Sequence, residues 1–151
     1  MTTRGKTTVY SVTAETRNGG EACVYSRSST IPFDGTAKSG DLLPGPADLL
    51  CAALSACILK NVERFSHLLP FRYDSASVEV TAEREEPPPR IIRMSYRLRV
   101  VTDEAATRVA LLHENIRKFG TISNTLAAAC EVVGDIEAVS AAVATSNTEP
   151  A

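Results

Sequence analysis

The spacing of apolar residues changes along the chain, and each change marks an element. Tyr10, Val12 and Ala14 alternate with Ser11, Thr13 and Glu15, the period of two expected of a half-buried strand. Arg17-Asn18-Gly19-Gly20 follows. Asn-Gly suits a tight hairpin turn because both residues tolerate positive φ. A second strand is expected over residues 21–26 and a short one near 31–34. Residues 35–45 are rich in Gly, Ser, Lys and Asp, a loop long enough to line a site.

The period then lengthens. Leu50, Leu54, Ile58, Val62, Phe65 and Leu69 recur at helical spacing. Proline suits the first helical position, so the helix is expected to start at Pro46. Its first half is apolar nearly all round, which calls for cover from more than one side. Its second half gains Lys60, Asn61, Glu63 and Arg64 and becomes amphipathic. Period two returns at Ala76, Val78, Val80 and Ala82, and again at Ile92, Met94, Tyr96, Leu98 and Val100. Glu79 and Glu83 alternate into the first run and Arg93, Arg97 and Arg99 into the second, around a Pro87-Pro88-Pro89 tip. One apolar face and opposite outer charges predict an antiparallel hairpin. Val109, Leu112 and Ile116 predict a further helix. Thr102 or Asp103 is its expected cap, with Glu104 in the first turn, and Gly120 its left-handed stop. A short helix over 124–129, a last strand over 131–139 and a tail loose after about 140 complete the reading.

Length and composition narrow the class. The 151 residues suit one domain, with core enough to fold without disulfides or metal. A net charge of −2 gives no reason to expect nucleic acid or an anionic membrane as partner. The apolar run 49–59 is too short to span a bilayer, and the residues before the first strand carry no basic region with an apolar core, so secretion is not expected. A cytoplasmic protein is expected, with Cys23, Cys51, Cys57 and Cys130 as reduced thiols. These four have no zinc-type spacing, and His67 and His113 have no ligand-like neighbour. No metal or other cofactor is expected.

Cys51 and Cys57 cannot bridge each other. Six helical residues rise about 9 Å, beyond the roughly 7 Å a disulfide spans. Cys57 shares a helix face with Leu50, Ala53, Leu54, Asn61 and Arg64, and two readings stand. It is a small buried side chain, or it is a reactive thiol with a cation nearby, from Arg17 or Arg64. Asn61, and Asp48 in the first turn, are candidate supporting residues; an acid at Asp48 also stabilises a helix start on its own account. Cys51 and Cys23 read as packing.

"PADLLCAALSAC", "TRNG" and "SNTL", set in this order of elements, resemble the OsmC/Ohr family of osmotically inducible and organic hydroperoxide resistance proteins over residues 10–139. The resemblance implies an α+β fold: an intertwined homodimer with antiparallel sheets wrapped around two long central helices and active sites at the interface. It implies a thiol peroxidase in which Cys57 attacks a small-molecule hydroperoxide, Arg17 stabilises the thiolate, and an external thiol acts as reductant. Two positions depart from the family. Ala47 stands where the family has an acid, and Gly120 where it has the resolving cysteine. Cys130 is the alternative resolving residue, although alignment puts it at the end of the short helix. A one-cysteine peroxidase is therefore expected. The competing reading is a non-peroxidase dimer that binds a small apolar or thiol-reactive ligand. Arg17 and Cys57 favour the first reading; Ala47 and Gly120 favour the second.

Overall fold

A computed structural model describes residues 5–38, 40 and 42–146. The chain divides into two compact units, one up to Leu49 and one from Leu50 onward.

The first unit is a three-stranded antiparallel sheet in sequence order, β1 (Thr13–Thr16), β2 (Glu21–Ser26) and β3 (Ser29–Asp34). The Arg17–Gly20 turn closes with the Gly20 N–H on the Arg17 carbonyl, 2.9 Å. Positive φ falls on Gly19 (106°) and Gly20 (93°), one residue later than the Asn-Gly pair predicts. Gly20 is obligatory: a Cβ there would lie 2.7 Å from the Thr36 backbone. Ser26 pairs with Ser29 across a two-residue turn in which Arg27 has φ 54°. β3 therefore begins two residues before the expected segment. The half-buried strand expected at Tyr10–Ala14 is not observed. β1 starts at Thr13, all four of its residues are exposed, and Tyr10 and Val12 are open to solvent. Alternation of apolar and polar residues does not mark a buried face in β1; in this sheet full burial falls on Ala22 of β2.

After β3, Asp34 organises the loop. Its carboxylate accepts from the Thr36 hydroxyl (2.5 Å), the Thr36 N–H (3.0 Å) and the Gly40 N–H (2.6 Å). The Thr36 hydroxyl is the main reason its carboxyl is held below the usual range. The Asp34 N–H reaches the Pro44 carbonyl, which returns the chain to the helix start. Helix α1 (Pro46–Leu68) begins at the expected proline.

The second unit holds the core. Its sheet has the order β4 (Ser75–Glu85), β5 (Arg90–Val101), β6 (Glu131–Val139). The β4–β5 hairpin is antiparallel as predicted, but β6 joins β5 in parallel, so this sheet is mixed. A parallel neighbour requires a crossover, here α2 (Ala106–Phe119) and α3 (Thr121–Ala127). Leu54, Ile58, Val62 and Phe65 from α1 meet Met94, Tyr96, Leu98 and Val100 from β5, and Val109, Leu112 and Ile116 from α2. Each fully buried large side chain contributes about 1.5–3 kcal/mol. The expected face of β5 fails at one residue. The register steps from Glu83↔Arg93 to Arg84↔Ile91, a bulge that leaves Ile92 unpaired and exposed while Ile91 turns inward.

Three local expectations are corrected. α2 is preceded by Ala105, which makes no side-chain cap. Thr102 instead donates to the Arg72 carbonyl and accepts the Glu104 N–H, so its hydroxyl is committed to a loop contact. Gly120 has φ −76° and ψ 116° and is not left-handed; an extended residue serves because α3 starts at once, three residues earlier than expected. The tail is not loose directly after Ser140, since Ala141–Ser146 forms a short helix, α4. The rest of that expectation, residues 147–151, lies outside the described residues, as do Ser39 and Asp41 of the expected loop.

Candidate functional site

All four cysteines are free thiols, each partly buried, but they are not alike. Cys51 and Cys130 pack against the core cluster of the second unit. Cys57, among the described residues, is not one of the side chains packed there. It stands half-buried on α1, and the amide nitrogen of Asn61, one turn on, donates to its sulfur at 3.7 Å. Helical geometry alone makes the pair, because residues i and i+4 are neighbours on one face. Of the sequence candidates, the structure thus brings Cys57 and Asn61 together.

The others have identifiable local positions. Arg17 belongs to the first unit, with an exposed side chain. Its backbone is fixed by the turn, the N–H on the Glu21 carbonyl and the C=O accepting from Gly20. Asp48, in the first turn of α1, accepts the Gly45 N–H at 2.9 Å, the helix-start role that its position allowed. Ala47 beside it is exposed. Cys130 follows α3, its N–H on the Leu126 carbonyl, where the sequence placed it.

Gly120 is buried between α2 and α3. A Cβ there would lie 2.9 Å from the Ser123 hydroxyl oxygen and 3.2 Å from the Ile116 carbonyl. Ser123 thus fills the space that a cysteine side chain at position 120 would need.

The histidines make pairs that the sequence did not reveal. His67 lies 2.9 Å from Glu63, whose carboxylate also takes the Tyr73 hydroxyl. That contact pushes the Tyr73 phenol up to about 12 and holds the Glu63 carboxyl below its ordinary range. His113 Nε2 lies 2.7 Å from the buried Tyr96 hydroxyl. Burial pushes the imidazole down, and Arg117 adds to the shift. Residues 17 apart on different elements leave no local signal of such a pair. Among the described residues no group of three or more His, Cys, Asp and Glu could hold a metal ion, and no helix is long and apolar enough to cross a membrane. A cavity of about 810 Å³ opens between the α1–β4 and β5–α2 connections, and Arg72, Asp74, Glu104 and Arg108 are among its lining. Cys57 does not line it.

Comparison with known proteins agrees with this architecture. The crystal structure of an OsmC-like protein from Mycoplasma pneumoniae superposes with a TM-score of 0.80 at 17% identity, over 87% of this chain and 98% of that one. An organic hydroperoxide resistance protein OsmC from Legionella pneumophila gives 0.69 at 13% identity, over 87% and 99%. The organic hydroperoxide resistance protein OhrB of Bacillus subtilis gives 0.65 at 16%, over 85% and 98%. At such identities the likeness is one of fold. No curated protein matches the chain. The family profile described as OsmC-like protein matches residues 38–133, a span that holds α1 with Cys57, the β4–β5 hairpin and the crossover helices, and on that match the chain belongs to the OsmC-like protein family.

Proposed function

We propose that the protein is a thiol-dependent reductase of organic hydroperoxides that works through Cys57. The observation that carries this reading is the contrast among the thiols on and around α1. Cys51 and Cys130 pack against the core cluster, while Cys57 is not among the side chains packed there and has a hydrogen-bond donor on its sulfur. The hydroperoxide resistance names of two fold neighbours supply the substrate class.

In this reading the Cys57 thiolate attacks the terminal oxygen of ROOH. The S–O bond forms as the O–O bond breaks, and the alkoxide leaves with the electron pair. It takes up the proton that the thiol released, giving ROH and a sulfenic acid. Arg17, from this chain or its partner, supplies the cation that favours the thiolate. Gly120 provides no sulfur, and Cys130 is held by the core. An external thiol therefore condenses with the sulfenic acid, releasing water, and a second thiol reduces the mixed disulfide. The active form is a homodimer. Val9, Tyr10, Val12 and Leu42 of the first unit are 86%, 79%, 61% and 96% exposed, apolar surface that a second copy covers.

The test is turnover of a bulky organic hydroperoxide and of hydrogen peroxide with a small dithiol. Wild type is expected to consume the organic peroxide faster, and Cys57→Ser to fall to background. Mass spectrometry after one equivalent of peroxide is expected to show oxidised Cys57. Unmodified Cys57 beside unreduced peroxide overturns the reading in favour of a ligand-binding dimer. A Cys57–Cys130 disulfide overturns the one-cysteine version.

A further inference from the structure

We propose that Asn61 is a positioning residue for Cys57, an amide built into α1 to hold that sulfur as a thiolate. The inference rests on the reading of Cys57 as the reactive thiol and adds a second source of activation, one internal to the helix.

Asn61 and Thr102 are the buried polar side chains among the described residues, 7% and 6% exposed. Thr102 has an evident structural task, since its hydroxyl ties the Arg72 carbonyl to the Glu104 N–H across two connections. The side-chain hydrogen bond that Asn61 makes goes to the Cys57 sulfur. Burying an amide costs about 1–3 kcal/mol unless a good partner offsets it. A neutral thiol is a poor partner, because its sulfur is a weak acceptor. Against a thiol the arrangement is therefore unfavourable, and leucine at the same place on the core-facing side of α1 would serve better.

Ionisation reverses the comparison. A thiolate accepts a charge-assisted hydrogen bond, roughly twice as strong as a neutral one. A donor that favours the charged form lowers the pKa. The N–H···S contact thus has its full value only when Cys57 is ionised. The i, i+4 spacing within one helix holds the donor in place without help from another element. Lys60, Glu63 and Arg64 are the charged α1 residues nearest in sequence after Cys57. All three are exposed and stay unchanged in every variant below.

The experiment is the pH dependence of Cys57 alkylation by iodoacetamide in the full-length protein, followed by residue-resolved mass spectrometry. No peroxide is involved. Asn61→Leu keeps the branched outline of four side-chain heavy atoms and removes the donor. It is expected to raise the alkylation midpoint by about one pH unit and to slow alkylation at pH 7 about tenfold. Asn61→Gln retains the amide and is expected to recover part of the loss. Asn61→Ser, too short to reach the sulfur, is expected to behave like Asn61→Leu and replaces it if leucine prevents folding. A folded Asn61→Leu or Asn61→Ser variant with the wild-type profile overturns the assignment. If wild type fails to turn over peroxide while the midpoint still shifts, the peroxidase reading falls and Asn61 keeps its role.

Discussion

Tyr96 connects three elements. It is 7% exposed on the inner face of β5, its hydroxyl meets His113 of α2, and its ring lies over Gly134 of β6. Tyr96 and Gly134 are register partners in the parallel ladder. A Cβ on residue 134 would sit 2.3 Å from two ring carbons, closer than side chains approach, and the ring is anchored by its hydroxyl and cannot swing clear. Gly134→Ala is therefore expected to destabilise the protein by about 1–3 kcal/mol through overpacking. The check is a fall in the urea midpoint at unchanged slope. A neutral result would mean that the ring moves freely. An isolated glycine within a strand is the usual mark of a close approach, a signal that the reading of 131–139 as a plain strand did not use. Which side chain approaches could not be read at all, because only the parallel register brings residue 96 beside residue 134.

At the scale of elements, legibility followed periodicity. The β4–β5 hairpin and α1 carry long runs with one period each, and both were readable nearly to their ends. Errors arose where a contact outside the element decided the outcome. Ile92 looked inward by parity until the bulge shifted the phase. β3 hid its first residues because Arg27, an uncommon residue for positive φ, makes the turn. Thr102 and Glu104 looked like a helix cap because the residue types fit one, yet both serve the α1–β4 connection. Glu104 accepts the Arg72 N–H at 2.8 Å and Arg108 Nε at 2.8 Å, while Arg108 Nη2 donates to the Leu69 and Pro70 carbonyls. The Arg72 N–H is the main cause that holds the Glu104 carboxyl below the usual carboxylate range. The sign follows. A carboxyl with a depressed folded pKa adds stability that is fully present above the unfolded value, about 4.3, and is lost as pH falls through the folded one. Glu104→Gln is expected to lower stability at pH 7 and to flatten its decline below about pH 4.3. Denaturant titrations at pH 3 and pH 7 measure this, and parallel declines in both proteins would show that the latch carries no charge-dependent stability. At the candidate site, the helix spacing made the Cys57–Asn61 pair readable; the burial of Asn61 needed the fold.

At the scale of the whole molecule, the first unit raises a question of stability. Ala22 is the one residue of its sheet that reaches full burial, and three strands need an apolar face covered to persist. Val9, Tyr10, Val12 and Leu42 remain open, and fully burying such a side chain yields about 1.5–3 kcal/mol. α1 poses the same problem from its other side, where Ala52 and Ala56 stay exposed opposite the core face. The proposed homodimer answers both. Val12→Asp would have to bury a charge against the second copy, which costs several kcal/mol. It is expected to shift the protein from dimer to monomer in sedimentation at micromolar concentration. The thiol reports on the same event. If Arg17 acts across the interface, dissociated Val12→Asp and dimeric Arg17→Ala should share a raised Cys57 alkylation midpoint. The Asn61 contribution, internal to one helix, should persist in both. A monomeric Val12→Asp protein with the wild-type midpoint would separate assembly from reactivity and leave Asn61 as the source of thiolate stabilisation, whereas a monomeric wild type would remove the dimer from the mechanism.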